Sequence, residues 1–212
     1  MQGMIGKKLG MTQVYDAQGQ HVPVTVIEAG PCVVLQRKTV QTDGYDAVQM
    51  AFLPQKESRL SKASAGRFKK VGVPAHRKLA EVRVDAAAEI KAGETITAKI
   101  FEGVSHVDVS GVTKGQGYQG VVKRHRMGGG PAAHGHTSHR RIGSIGQRTW
   151  PARIMKNKRM PGHMGNVNIT VQNLRVVQVR PDDNVILVEG AIPGPTGALV
   201  MVRKAVKKAA KS

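Results

Sequence analysis

Between Asp108 and Asp182 the chain runs for 73 residues without one aspartate or glutamate, and that interval holds thirteen lysines and arginines and five of the eight histidines. No other feature limits the fold so severely. Like charges gathered into a compact body repel one another, and an ordinary solvated surface offsets them with acids of its own. A segment built this way needs a polyanion to complete it. The whole chain leans the same way, with a formal net charge of +19 over 212 residues. Nucleic acid is the first partner this implies. An anionic membrane surface is the second, but no run approaches the roughly 18 apolar residues of a span.

The flanks of this interval carry mixed charge and read as β-structure. Val22, Val24 and Val26 alternate in "HVPVTVIEAG", and "CVVLQRKT", "GYDAVQMAFL", "LAEVRV" and "TITAKIF" follow between Gly, Pro, Asn and Asp punctuation. After the interval come "NITVQNLRVVQV", "NVILVEGAI" and "ALVMVRKAV". Short β-branched runs with such punctuation predict a mainly β fold, a barrel or sandwich. "DAAAEI" allows a helical turn, and residues 56–78 read as a short ambiguous helical or loop insertion. Aromatics make up only 3% of the chain, so the core must rest on Val, Ile, Leu, Ala and Met. Taking out residues 111–165 leaves 157 residues, a normal size for one domain. Residues 1–110 and 166–212 are therefore expected to form one globular domain, with 111–165 inserted in it. The tail "RKAVKKAAKS" reads as frayed when free.

The start, "MQGMIGKKLGMTQVYD", lacks the apolar run and cleavage-like site of a signal peptide. Cys32 is the only cysteine, so it makes neither an internal disulfide nor a cysteine metal cage. Within "CVVL" it reads as a buried small residue. A cytoplasmic, reducing setting is expected.

Residues 111–165 contain twelve glycines and three prolines. They offer little apolar surface to offset the entropy of ordering, about 1–2 kcal/mol per residue for backbone alone. Alone in water they are expected to be mobile, with a partner supplying the missing contacts. RNA suits the residue types. Arginine presents a planar fork that meets two phosphate oxygens or stacks on a base. Glycine lets backbone N–H groups approach anions closely. Histidine stacks or donates. Trp150, the only tryptophan, reads as a stacking or wedge residue; the alternative is that it folds back on Ile154 or Met155.

Other chemistries fit less well. His134, His136 and His139 have spacings that could ligate a metal, but zinc sites usually add Cys or a carboxylate, and the nearest acids in sequence are Asp108 and Asp182. "GQGYQG" is a glycine pattern without the Lys-Ser/Thr of a phosphate loop, and no GxSxG elbow occurs. Neither a catalytic residue, a metal nor a cofactor is expected. A metal-dependent hydrolase and a free RNA chaperone or regulator remain as rivals.

Four long stretches carry a resemblance: "GKKLGMTQVYD" at 6–16, "VDVSGVTKGQGYQGVVKR" at 107–124, "HRRIGSIGQRTWPARIMKNKRMPGHMGN" at 139–166 and "VEGAIPGPTGALV" at 188–200. In order and across the whole chain, they are similar to the bacterial form of large-subunit ribosomal protein L3. The resemblance implies a translation-protein-type β-barrel and a long, largely irregular basic central extension. It implies that the extension threads through large-subunit rRNA toward the peptidyl transferase centre, while the barrel binds near the 3′ domain of that rRNA. It also implies early action in subunit assembly, contacts with neighbouring ribosomal proteins, and a scaffold that leaves the chemistry to RNA. Transferred to this chain, the tip lies near 140–160, where Gln147, Arg148, Thr149 and Trp150 approach the rRNA around the catalytic centre. Two positions depart from the family pattern: Gln116 stands where a Lys or Arg is common, and Thr149 where some relatives have a sometimes methylated Gln.

The expected RNA contacts follow from charge and resemblance together. In the first part of the interval they are Lys114, Lys123, Arg124, His125, Arg126, His134, His136 and His139. In the second they are Arg140, Arg141, Gln147, Arg148, Trp150, Arg153, Lys156, Lys158, Arg159 and His163. Lys7, Lys8, Lys204, Lys207, Lys208 and Lys211 are weaker candidates, equally readable as solvated charges.

Overall fold

The structure is a computed structural model that describes residues 2–84 and 90–208. In chain order the strands are β1 Gly3–Tyr15, β2 His21–Ala29, β3 Cys32–Lys38, β4 Ala47–Pro54, β5 His76–Arg83, β6 Thr95–Ile96 and β7 His106–Val112, then β8 Gly117–Gln119, β9 Gly162–Met164, β10 Asn168–Arg180, β11 Val185–Glu189 and β12 Leu199–Lys204. Among the described residues three short helices join them: α1 Val40–Asp43, α2 Lys62–Val71 and α3 Val121–His125. The fold is mainly β. The chain divides into two compact units, one of Met1–Val112 with Asn168–Ser212, the other Thr113–Val167.

In the larger unit six antiparallel strands close a barrel in the order β1-β12-β7-β10-β11-β2. A second, four-stranded sheet runs β5-β4-β3-β6. Both feed one core: Met4, Ile27, Val107, Val109, Ile186 and Val202 from the barrel meet Val34, Val48, Met50 and Phe52 from the second sheet. β2 shows how the pattern works, since Val22 and Val24 are buried while His21 and Pro23 are exposed. Closure leaves the barrel without an open edge, which removes a template for unwanted strand pairing.

β1 escapes a period-two reading. Its ladder with β2 slips between Lys8 and Gly10, a bulge that re-aims the side chains. Gly6 is required by space: a Cβ there would sit 2.8 Å from Ile27 Cγ2 and 2.9 Å from the Glu28 carbonyl oxygen. β7 also escapes, because Asp108 lies between Val107 and Val109 and all three are buried. Asp108 accepts from the backbone N–H groups of Asn173 (2.8 Å) and Val206 (3.3 Å), so the carboxylate ties a bulge of β10 and the chain after β12 to the barrel.

One expected strand is corrected. In "TITAKIF" only Thr95 and Ile96 pair with β3, and Ala98–Phe101 form a 3-10 turn. Ala98 and Phe101 are its buried residues, three apart, so one side of the turn packs inward. The ambiguous stretch 56–78 resolves into a 3-10 turn at Glu57–Arg59, then α2, then the start of β5. Ser61 caps α2 by accepting from the Ser64 N–H (3.3 Å), Gly72 ends it in a left-handed conformation, and Phe68 packs on Leu35 and Ala51. The helical turn considered for "DAAAEI" falls on residues 85–89, outside the described residues.

Candidate nucleic-acid interface

Residues 113–167 form the smaller unit. Its two ends lie side by side: the Thr113 N–H donates to the Val167 carbonyl (3.0 Å), and the Val167 N–H donates to Thr113 Oγ1 (3.3 Å). A three-rung ladder of β8 and β9 continues the pairing from Gly117–Met164 to Gln119–Gly162. Gly165 makes the close approach possible, at φ +76° with the space for a Cβ taken by the Lys114 carbonyl oxygen. Beyond the ladder comes α3, on which Val121 is buried.

That valine is the only buried residue among the 55 of the unit, all of which are described. A self-sufficient domain would bury a core of many side chains. Residues 140–159 take part in no backbone–backbone hydrogen bond among the described residues. Apart from the Gly146 carbonyl, which accepts from Ser144 Oγ (2.9 Å), their N–H and C=O groups are left to water or a partner.

The expected contact residues divide into two groups. Arg124, His125, His136 and His139 serve the arm itself. Arg124 Nη1 donates to the Met160 carbonyl (2.7 Å), and His125 Nε2 lies 3.1 Å from the same oxygen. His139 Nδ1 lies 2.8 Å from the Pro131 carbonyl, and His136 Nδ1 accepts from the Ser138 N–H (3.2 Å). The others project outward. Lys114, Lys123, Arg126, Arg140, Arg141, Arg148, Arg153, Lys156, Lys158 and Arg159 are all exposed, and none pairs with an acid among the described residues. His134, Gln147 and His163 are exposed as well, with His163 opposite Tyr118 in the ladder. Trp150 is 81% exposed, so the indole points to solvent rather than folding back on Ile154 or Met155, themselves exposed. Tyr118, 76% exposed, is a second outward ring that the sequence reading passed over.

The same unit holds a concavity of about 650 Å³, in which Val121, Met127 and Ile142 meet His136, Arg140 and Arg141. Apolar floor and cationic rim can receive a flat ring beside a phosphate. Among the described residues no three His, Cys, Asp or Glu side chains converge as a metal would require.

Lys8 departs from both readings offered for it. It is buried, and its ammonium donates to the carbonyls of Ile192 (3.0 Å) and Gly194 (3.1 Å). It is a tie within the barrel. Lys204 and the exposed Lys207 and Lys208 lie beyond the core, and Lys211 falls outside the described residues.

A closed β-barrel that carries 55 residues of acid-free, coreless chain has the build of a protein made to sit inside a polyanionic assembly. Comparison with known proteins gives the particular assembly. The family model described as Ribosomal protein L3 matches residues 68–184. A large ribosomal subunit protein uL3 from Corynebacterium jeikeium is 50% identical over 208 residues, covering 98% of this chain and 95% of that protein. The chain belongs to the ribosomal protein L3 family.

Proposed function

We infer that the protein is a structural constituent of the large ribosomal subunit, working in the cytoplasm, and that it binds large-subunit rRNA and neighbouring ribosomal proteins. Residues 111–165 are its rRNA-penetrating extension, and 1–110 with 166–212 its globular anchor. The extension runs into folded rRNA toward the peptidyl transferase centre and helps the subunit assemble early. Lys114, Lys123, Arg126, Arg140, Arg141, Arg148, Arg153, Lys156, Lys158 and Arg159 meet phosphates, and Trp150 stacks on or wedges beside a base. The protein performs no bond-making step; it neutralises converging phosphates so that RNA strands pack closer than their own repulsion permits.

One observation carries this reading: ten exposed arm cations stand without an acid partner among the described residues, on a segment that buries a single side chain. Protein alone cannot make that arrangement stable, and a phosphodiester chain can. The test is the salt dependence of binding to large-subunit rRNA. With roughly eight phosphates met by the arm, its share of the slope of log K against log salt is about −6. A flat salt dependence, or equal affinity for an uncharged polymer, sinks the reading.

A further inference from the structure

The smaller unit leaves its one apolar seam open. Val121 is its only buried residue, and Met127 and Ile142 beside it stay partly exposed. Together they floor the cleft of about 650 Å³ instead of sealing it as a core would. That volume lies within the roughly 300–1,000 Å³ of small-ligand sites. The walls are held by the backbone. The Gly130 N–H donates to the His139 carbonyl (3.0 Å), and His139 Nδ1 lies 2.8 Å from the Pro131 carbonyl. Two glycines allow that approach: a Cβ at Gly129 would meet the His139 carbonyl oxygen, and one at Gly130 the His136 ring. On the other side, Arg124 and His125 both reach the Met160 carbonyl, which sets Pro161 beside Val121 in the lining. Arg140 and Arg141 stand at the rim, exposed and without an acid partner among the described residues. No acid lines the cleft.

We propose that this cleft is a nucleotide site, which holds one unstacked nucleotide with its ring on the floor of Val121, Met127 and Ile142 and its phosphate at Arg140 and Arg141. Screening phosphates needs only exposed cations, and a recessed apolar floor adds nothing to it. Such a floor gains by covering a flat ring, and a ring is free to enter only where it has left its stack. Adjacent arginine forks suit the oxygens of the phosphate that the ring carries. His136 spends Nδ1 on the Ser138 N–H and keeps Nε2 for the edge of the ring or a sugar hydroxyl. The source of the nucleotide is either a residue turned out of folded RNA or a mononucleotide from solution, since both present the same ring and phosphate. The inference rests on the rRNA-binding reading and deepens it, because the arm then grips a single base as well as neutralising phosphates.

The test compares the full chain with a floor variant, M127Q together with I142Q, which keeps every charge. Each is assembled into large subunits, and the RNA is probed twice: along its backbone with hydroxyl radicals, and at its base edges with dimethyl sulfate and a carbodiimide. The backbone footprint is expected to stay as it was, while one base beside the arm becomes about tenfold more reactive in the variant. Equilibrium dialysis of the free chain with GMP, AMP and inorganic phosphate identifies the source. A mononucleotide retained by the wild type and lost by the variant supports a site filled from solution. No retention, together with the newly reactive base, supports a residue turned out of the RNA. Inorganic phosphate retained as tightly as GMP would mean an anion site only and overturns the proposal. If no base changes reactivity and no mononucleotide is retained, the proposal falls, and the backbone footprint keeps the rRNA reading standing. If the wild type leaves no backbone footprint, both fall.

Discussion

Lys8 shows how one side chain changes meaning once its surroundings are known. In a basic sequence it reads as one more surface charge, yet its ammonium is spent on two carbonyls inside the barrel. K8M leaves those oxygens without that donor and is expected to cost about 1–3 kcal/mol of stability, with rRNA affinity per folded molecule unchanged. Thermal unfolding together with a binding titration checks both halves. Trp150→Ala makes the opposite prediction: unfolding stays as it was, and binding to rRNA weakens by about 1–3 kcal/mol if the indole stacks on a base. Lys38 and Glu81 give a pH signature. Lys38 Nζ lies 2.8 Å from Glu81 Oε1 and the Tyr45 hydroxyl donates to the same carboxylate, so Glu81 is held below its ordinary value, first by the lysine and then by the tyrosine. Lys38 is raised, by Glu81 first and Tyr45 second. A depressed carboxylate stabilises the fold above its unfolded value and loses that contribution as pH falls through the folded one. A raised lysine stabilises fully below the ordinary 10.5 and loses its contribution as pH climbs past it. Both contributions coexist across the neutral range. E81Q is therefore expected to flatten the acid and the alkaline limbs of a stability-against-pH curve, measured by denaturant midpoints. Unchanged limbs would mean that the network is solvated away.

The alternation that opens β2, from His21 to Val24, and the apolar run of β11, from Val185 to Val188, are legible without coordinates. Others are not, and the reasons are local. β1 hides behind glycines and a bulge, and β7 hides behind a buried carboxylate that only its backbone partners explain. "TITAKIF" reads as a strand by composition, but the spacing of Ala98 and Phe101 serves a turn. The arm was legible by charge alone, whereas the role of Lys8 was not, because the carbonyls of Ile192 and Gly194 that hold it lie far along the chain. The β8–β9 ladder and Gly165 suggest where the arm can be cut. Deleting residues 125–160 keeps the ladder residues and is expected to leave a barrel that unfolds at nearly the same temperature. That protein should still bind rRNA, more weakly and with a shallower salt slope. Calorimetry decides the first point and titration the second; a barrel that fails to fold would show that the arm belongs to its core.

Taken as a molecule, the protein divides its stability unevenly. The barrel and second sheet share one continuous apolar core, and the smaller unit has a single buried valine. Local opening free energies follow buried contacts and backbone bonds. In the free protein, amide exchange is expected to be fast through 128–160 and slow in the barrel strands, and addition of rRNA should slow the first region most. Uniform protection in the absence of RNA would identify the arm as a domain in its own right. The pairing of Thr113 with Val167 carries a further consequence. Both roots of the arm are fixed side by side, so it is a bight of chain with no free end. Such a bight enters a gap in nucleic acid only doubled, and any opening that admits it must pass two strands of chain at once. The width of that opening, as well as the affinity of its walls, then limits when the arm can be seated.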